Sequence, residues 1–344
     1  MKTRLANLLE QALALPELQR KKVGSVVGAA VGDAAARPLH WVYDLGELTR
    51  YIKSDPGKPE FWPESKSPYY TLETGDNSCY WDQAMAVMTS LNKSKAFDFD
   101  NICKEFTIQL GPGSPYDMKA REEYMLKRNR TGRLQEPLVG KWLHGGMIKF
   151  LDNYAANKKI CGDPHVKETD GFCCSLPVVV KYAGAENLTE MVEKVATTQS
   201  TWPVAVRHAM VATKIVEAFI LNNSDPFKNV QHDIKAEYPE IYEELRGIDD
   251  MLNIDHKEAV TYIFGQPCYN PGSFMGAIHA VQTSDTFTEA IRKTILAGGC
   301  NCSRSFFIGA MLGAKLGVEG IPVDWIMKTK NADNILELAM EISK

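Results

Sequence analysis

Four short segments of the chain concentrate side chains that could do chemistry: residues 32–41, 78–85, 170–177 and 298–304. Together they contribute carboxylates, an imidazole, thiols and a guanidinium. These groups serve in acid/base catalysis, in nucleophilic attack and in metal binding. Each candidate therefore has to be weighed against an ordinary structural role.

Cys300 and Cys302 stand just before a predicted helix. They could form a redox pair, supply a thiolate nucleophile or bind a soft metal such as zinc, although further zinc ligands at the usual spacing are missing. A disulfide between them would close a small, strained ring, and Arg304 with the helix N-terminus would lower the pKa of a thiol here. We favour the alternative that both are small core residues.

Asp33 and Asp82 are the carboxylates best suited to a polar function. Asp33 interrupts an apolar helical segment, where an unpaired carboxylate would be costly. We expect it to pair with a buried donor such as Arg304 or Arg37 or, as we favour, to line a cavity. Asp82 begins a predicted helix, either as an anion that the helix dipole stabilises or, as we favour, as a pocket residue.

His40 lies in the loop that follows the helix of Asp33. It could act as an acid or base near neutral pH, although a structural histidine is the favoured interpretation. Tyr80 and Trp81 directly precede Asp82 and could either stack on a nucleobase or fill the site.

Helices must position these residues, because apolar side chains recur mostly at helical spacing and alternating strand patterns are scarce. We predict an all-α fold, with a first helix that is interrupted near Pro16. Further helices are predicted after Asp82 and over residues 204–221, 286–296 and 306–316.

Two of the helical stretches carry small residues every fourth position. Glycine costs a helix about 1 kcal/mol relative to alanine, so these glycines need a compensating gain. A smooth stripe allows a second helix to approach closely, which predicts a tightly packed helix pair. The stripes are Gly24, Gly28, Gly32 and Ala36, and Gly309, Gly313 and Gly317.

Composition narrows the class of protein. The 344 residues are 44% hydrophobic and 24% charged, with a net charge of −4, which argues against a nucleic-acid partner. No apolar run is long enough for a membrane span, and eight cysteines are too few for a disulfide scaffold. We expect a cytoplasmic protein with a single domain over residues 1–344, in which the acidic segment 222–265 is a helical insertion.

The four segments together resemble the ADP-ribosylglycohydrolase family over about residues 22–330. This resemblance implies a single compact orthogonal bundle of helices with its site among the connecting loops. The motifs that carry it are Gly32-Asp33-Ala34 at the end of a glycine-rich helix, Asp82 with Met85, Gly298-Gly299 before a polar tetrad, Ile308-Gly309-Ala310-x-x-Gly313-Ala314 and Ile321-Pro322-x-x-Trp325.

The resemblance also implies two Mg²⁺ ions, held by a Thr-Asp-Asp-Thr run and a later Asp-x-Asp-Thr run. Here the first run keeps only Asp82, and the second has Cys300 and Cys302 in place of its aspartates. Thiolates are poor ligands for Mg²⁺. We therefore expect weak residual metal binding at Asp82, with Asn301 and Ser303 as neutral neighbours, and no cofactor.

Other positions depart from the family as well. His40 falls where the family often has an acidic residue, and Tyr80 and Trp81 replace small polar residues, so we expect these two rings to fill the site. The remaining pattern is similar to the branch that contains the jellyfish J-crystallins and selenoprotein J. That branch implies a crystallin-like structural protein of the eye lens, or a binding protein with a degenerate dimagnesium site.

The alternative is a hydrolase that acts through a reorganised site on ADP-ribosyl or other N-glycosidic substrates. Its catalytic residues would be Asp33, Asp82 and His40, with Cys300 or Cys302. Its partner would be an ADP-ribose-like small molecule. The residues that would bind this ligand are Tyr80, Trp81, Asn301, Ser303 and Arg304.

Overall fold

The structure, a computed structural model, describes residues 2–117 and 137–344, and the regular structure of these residues is almost entirely helical. The predicted all-α class is confirmed. The helices are α1 (Lys2–Leu13), α2 (Glu17–Ala36), α3 (Leu45–Tyr51), α4 (Cys79–Ser94), α5 (Phe99–Leu110), α6 (Gly145–Ala155), α7 (Asp170–Tyr182), α8 (Leu188–Ala196), α9 (Pro203–Ile220), α10 (Pro226–Ile234), α11 (Pro239–Asp249), α12 (His256–Glu258), α13 (Gly272–Gln282), α14 (Phe287–Leu296), α15 (Asn301–Leu316), α16 (Val323–Lys328) and α17 (Ala332–Ile342).

Other regular structure is minor. Short 3₁₀ helices cover Arg37–Leu39 and Val318–Gly320, and a π-helix covers Ala259–Phe264. Within the described ranges the strands are limited to β1 (Tyr70–Thr71) and β2 (Leu138–Val139), which pair in parallel.

The two glycine-striped helices, α2 and α15, form the centre of the molecule and pack along their length. A β-carbon on Gly28 would overlap the carbonyl oxygen of Gly309, and one on Gly24 would overlap that of Gly313. The predicted tight helix pair is therefore confirmed, and its two partners are the two stripes themselves. Gly317 is an exception within the second stripe, because it ends α15 with a φ of 72°.

The remaining helices surround this pair. Helix α4 packs on α7, α7 packs on α9, and α17 covers α2. A continuous cluster of buried apolar side chains extends from Leu8 to Ile342. The acidic segment 222–265 is helical as predicted, and α10 and α11 each bury an apolar face against this core.

Among residues 2–117 and 137–344, no helix has both the length and the apolar character needed to cross a membrane.

Candidate functional site

A loop and a glycine turn bring His40 and Cys300 together. The Trp41 backbone N–H donates to the Gly299 carbonyl at 2.8 Å, and the Gly299 N–H donates to the Val42 carbonyl at 2.8 Å. Gly299 has a φ of 64°, which lies in the left-handed region where a side chain is strained. This short antiparallel bridge fixes the start of α15, where Cys300 is the N-cap residue, beside the loop after α2.

The Cys300 thiol is the centre of a buried polar cluster. Its Sγ lies 3.2 Å from His40 Nε2 and 3.2 Å from the Tyr80 hydroxyl oxygen. The other ring nitrogen of His40, Nδ1, lies 2.8 Å from the Tyr70 hydroxyl oxygen. The Cys268 thiol lies close enough to Cys300 to influence the pKa of that thiol. We call Cys300, His40, Tyr70, Tyr80 and Cys268 the thiol cluster.

The surroundings of Cys300 favour its thiolate form. Burial acts to raise its pKa, but interactions with Cys268 and His40 outweigh burial and hold the pKa well below its usual range. The N-terminus of α15 also stabilises an anion here. The pKa of Cys268 is raised well above its usual range, by the interaction with Cys300 and by burial.

Cys302 does not share this environment. Its Sγ lies 3.8 Å from the backbone oxygen of Asp33, and burial raises its pKa well above the usual value. The expectation that Arg304 and the helix N-terminus lower the thiol pKa is thus wrong for Cys302, because its sulfur is surrounded by the α2–α15 contact. No disulfide joins Cys302 to Cys300, and both thiols are free.

Asp33 is completely buried, but neither arginine pairs with it. Its carboxylate accepts hydrogen bonds from Asn77 Nδ2 at 3.0 Å, from the Ser78 backbone N–H at 2.7 Å and from the Ser78 hydroxyl at 2.5 Å. Burial raises its pKa, and these bonds from Ser78 and Asn77 oppose the rise. Asp33 therefore pairs with buried donors, as one of the two alternatives expected, but these donors are Asn77 and Ser78 and not Arg37 or Arg304. Asp33 instead ties the end of α2 to the N-terminus of α4, where Ser78 is the N-cap residue.

Arg304 is fully buried and holds loops in place. It donates to the Thr294 hydroxyl at 2.8 Å, to the Gln266 carbonyl at 3.0 Å and to the Gly298 carbonyl at 2.5 Å. Burial lowers the pKa of its guanidinium. Because Arg304 binds the carbonyls of Gln266 and Gly298, it fixes the loop of Cys268 and the glycine turn that precede Cys300 in space.

Asn301 and Ser303, predicted as ligand-binding residues, also lie inside the protein. Asn301 Nδ2 donates to the Leu39 carbonyl at 3.1 Å, and the Ser303 hydroxyl donates to the Cys300 carbonyl at 2.8 Å. Their polar groups therefore stabilise the loop after α2 and the first turn of α15.

Tyr80 and Trp81 diverge from each other. Tyr80 is 1% exposed and packs between Cys300 and the ring of His144, whose centroid lies 4.3 Å away. Trp81 is 2% exposed and faces the core near Phe306. Neither ring is open to a nucleobase, and Tyr80 alone belongs to the thiol cluster.

Asp82 is bound to a cation supplied by the chain itself. Its carboxylate accepts hydrogen bonds from Lys141 Nζ at 2.6 Å and from the Tyr116 hydroxyl at 2.6 Å. Lys141 Nζ also donates to the Asn77 carbonyl at 2.8 Å. The two side chains of the ion pair are only 19% and 22% exposed. Asp82 is thus surrounded by hydrogen-bond donors, whereas Mg²⁺ requires several oxygen lone pairs. These residues do not fit the family's metal ions.

The described part of the chain contains no group of three or more His, Cys, Asp or Glu side chains placed to hold a metal ion. A second buried acid pairs with a histidine instead. Asp170 Oδ1 lies 2.5 Å from His144 Nδ1 and 2.6 Å from Gln83 Nε2. Burial acts to lower the pKa of His144, but the charge and hydrogen bond of Asp170 raise it by more.

Three aromatic rings lie above the thiol cluster. Trp41 stacks on His40 with ring centroids 4.1 Å apart, and it meets Tyr69 and Trp142 edge-on at 5.2 and 5.8 Å. Tyr69 and Trp142 are themselves 5.8 Å apart. Two rings must separate by about 7 Å to admit a stacked base between them, since aromatic layers stack about 3.5 Å apart. These rings therefore pack on one another.

The structure thus separates the predicted site residues into distinct environments. His40 and Cys300 come together, whereas Asp33 and Asp82 each have their own partners. Sequence reasoning missed Tyr70, Cys268 and Lys141, because each is contributed by a loop or short strand that is distant in the chain. The sequence showed only that Cys268 lies in a loop rich in proline and glycine.

The family assignment follows from the sequence profile. Residues 14–344 match the ADP-ribosylglycohydrolase family, and the chain belongs to this family.

Particular relatives are found among the crystallins. The chain is 29% identical to crystallin J1A of Tripedalia cystophora over 327 residues, which cover 93% of this chain and 95% of that crystallin. It is 27% identical to crystallin J1B of the same organism over 335 residues, which cover 95% and 97% of the two chains. A solved structure described as an ADP-ribosylglycohydrolase-related protein complex shares the fold, with a TM-score of 0.65 and 18% identity over 96% of this chain and 99% of that chain.

Proposed function

We propose that this chain is a structural protein of the crystallin type, built on the glycohydrolase fold without the family's two-magnesium chemistry. The observation that carries the proposal is the ion pair between Asp82 and Lys141. A tethered ammonium satisfies the remaining carboxylate of the first metal-binding run, so a divalent ion would have to displace it. The likeness to two crystallins supports the structural role.

The hydrolase alternative needs Asp33, Asp82 and His40 to converge on a substrate. Asp33 is fully buried and bonded to Ser78, and Asp82 is paired with Lys141. His40 is buried under the ring of Trp41. These contacts favour the structural proposal over a reorganised hydrolase.

A structural protein of high abundance needs a rigid fold, and the centre of this molecule suits that requirement. Helices α2 and α15 touch through their backbones, and the Ser25 hydroxyl donates to the Ala310 carbonyl across the contact at 3.0 Å. Close packing of this kind leaves few alternative arrangements. We further place the protein in the cytoplasm, which suits its eight free cysteines.

Two solution experiments test the loss of hydrolase chemistry. Calorimetric titration with Mg²⁺ is expected to show no binding at physiological concentration, and micromolar affinity would overturn the degenerate-site proposal. Incubation with ADP-ribosylated peptides and with O-acetyl-ADP-ribose, beside an active family member as positive control, is expected to give no metal-dependent release. Turnover that the Asp82→Asn substitution abolishes would instead establish the hydrolase.

The structural role itself is tested by abundance. Quantitative proteomics of the source tissues is expected to find the protein among the major components of a lens or another transparent tissue. A low and even level in all tissues would refute this role and leave the result of the magnesium titration intact.

A further inference from the structure

A cavity opens between α5, α6 and the end of α8, and none of the thiol-cluster residues lines it. It encloses about 500 Å³, which lies within the range of cavities that hold small organic ligands. Its walls come from the start of α5, from the C-terminal part of α6 with the loop that follows, and from residues 194–201. The proposed structural role does not require an open cavity at this place.

One wall of the cavity carries two nearly parallel aromatic rings. Phe150 and Tyr154 lie one turn apart on α6, with ring centroids 5.6 Å apart and ring planes inclined by 14°. Phe106, which is buried in the core, meets the Phe150 ring edge-on at 5.5 Å and supports it. Because aromatic rings pack well on one another, this wall favours a planar, apolar ligand.

The solvent side of the cavity carries an excess of positive charge. Three exposed lysines line it together with one carboxylate: Lys158, Lys159 and Lys194 with Asp100. Lys194 is already paired with Glu190, at 2.7 Å. Within residues 2–117 and 137–344, the Lys159 ammonium has neither a hydrogen bond nor an ion pair. Lys158 and Lys159 therefore leave one positive charge that Asp100 does not balance.

The basic loop is fixed in place before any ligand arrives. The Asn153 side chain donates to the Cys161 carbonyl at 2.9 Å and accepts from Lys158 Nζ at 3.0 Å. The backbone N–H of Lys158 donates to the Asn153 carbonyl at 3.0 Å, and that of Thr201 donates to the Asp163 carbonyl at 3.1 Å. A cavity whose walls are already ordered binds without the entropic cost of ordering them.

We propose that this cavity binds a small aromatic carboxylate, with its ring against Phe150 and Tyr154 and its charged group beside Lys159. An uncharged ring would leave the excess positive charge unpaired, and an inorganic anion would leave the aromatic wall in contact with water. This binding function is independent of the proposed structural role and uses none of the family's metal positions.

Calorimetric titration of the full-length protein tests the class of ligand, with 1-naphthoate as the anion and 1-naphthalenemethanol as its uncharged counterpart. We expect saturable binding of naphthoate, at least about tenfold tighter than binding of the alcohol, because the carboxylate gains a charge-assisted hydrogen bond. The naphthoate affinity should also fall as sodium chloride is raised, since salt screens exposed charges. The absence of saturable naphthoate binding, or equal affinity for the two ligands, would overturn the proposal.

Two thiols of the unmodified protein show where the ligand binds. Cys161 lines the cavity and is partly exposed, whereas Cys268 is partly exposed at the thiol cluster. Both are labelled with a maleimide at mildly alkaline pH and followed by peptide mapping. At a naphthoate concentration about ten times its Kd, labelling of Cys161 should slow about tenfold, because only the free protein reacts there, and labelling of Cys268 should not change. Equal effects on the two thiols, or protection of Cys268 alone, would place the ligand elsewhere and refute the site.

A pair of lysine variants then assigns the charge. Lys159→Met removes the ammonium but keeps an unbranched side chain, and it should weaken naphthoate binding about fivefold or more while binding of the alcohol stays the same. Lys149→Met is the matched control, since Lys149 is an exposed lysine of α6 that does not line the cavity, and it should change neither affinity. Unchanged binding of the alcohol shows that a variant keeps the cavity. Equal naphthoate affinities in the two variants would contradict the role of Lys159.

Discussion

The ion pair between Asp82 and Lys141 allows a quantitative test of the proposal that this chain has lost the family's metal chemistry. The atoms are 2.6 Å apart, and the side chains are 22% and 19% exposed, so the pair lies between a surface bridge and a buried one. Exposed pairs contribute about 0–1 kcal/mol, and removal of one partner from a buried pair costs about 3–5 kcal/mol. We expect Lys141→Met to lower the free energy of unfolding by about 2 kcal/mol.

A double-mutant cycle separates the pair from other effects of the substitution. Lys141→Met, Asp82→Asn and the double variant, unfolded in urea, should yield a coupling energy of about 1–2 kcal/mol. The exposed pair of Glu190 and Lys194, which lies 2.7 Å apart with side chains 66% and 51% exposed, is the control and should show no measurable coupling.

Magnesium supplies the second half of the test, since a bound ion stabilises the folded state. A site with a Kd of about 10 µM would add about 3.7 kcal/mol at about 5 mM Mg²⁺, whereas a Kd of about 50 mM would add less than about 0.1 kcal/mol. We expect the second outcome for the unmodified protein. A coupling energy near zero, or stabilisation by more than about 1 kcal/mol in Mg²⁺, would refute the reasoning.

Two further predictions concern stability. Gly28→Ala places a methyl group against the Gly309 carbonyl and should lower the free energy of unfolding in urea by about 1–3 kcal/mol or more. The control, Gly247→Ala, lies in a helix with open space around it and should be neutral or stabilise the fold by up to about 1 kcal/mol. Equal effects of the two substitutions would contradict the backbone contact. The pKa of His144 is raised in the folded state, because the charge and hydrogen bond of Asp170 outweigh burial. The contribution of this pair to the free energy of unfolding is therefore complete below the unfolded pKa of about 6.5 and is lost as the pH rises through the raised pKa. The His144→Gln substitution should remove this loss of stability with rising pH, which is measured by urea unfolding at several pH values. An unchanged dependence of the unfolding free energy on pH would exclude the His144–Asp170 pair as its cause.

The features of the fold that could be predicted from the sequence depend mostly on short-range sequence patterns. The interruption at Pro16, the helix after Asp82 and the tight contact between glycine-striped helices all appear in the structure. These features depend on backbone conformation and on the spacing of small or apolar residues within one helix. Such information is contained in a short stretch of sequence.

The donors that satisfy Asp33 differ from the arginines that the sequence suggested, for a physical reason that applies widely. A buried carboxylate needs donors, and arginines are the donors that a sequence displays most clearly. The structure satisfies Asp33 with an amide, a hydroxyl and a backbone N–H from the loop before α4, and a backbone N–H is present at almost every residue. Its use is decided only by where the loop lies.

The sequence by itself determined the helical class and the family, and it predicts the loss of the aspartates that would hold magnesium, because each of these depends on the order of residue types along the chain. Only the tertiary structure decided that Lys141 pairs with Asp82, and that His40 rather than Cys302 lies against the sulfur of Cys300. Hydrogen bonds and ion pairs act over a few ångströms in space, and residues 59 or more positions apart meet at such distances only after the helices between them have packed.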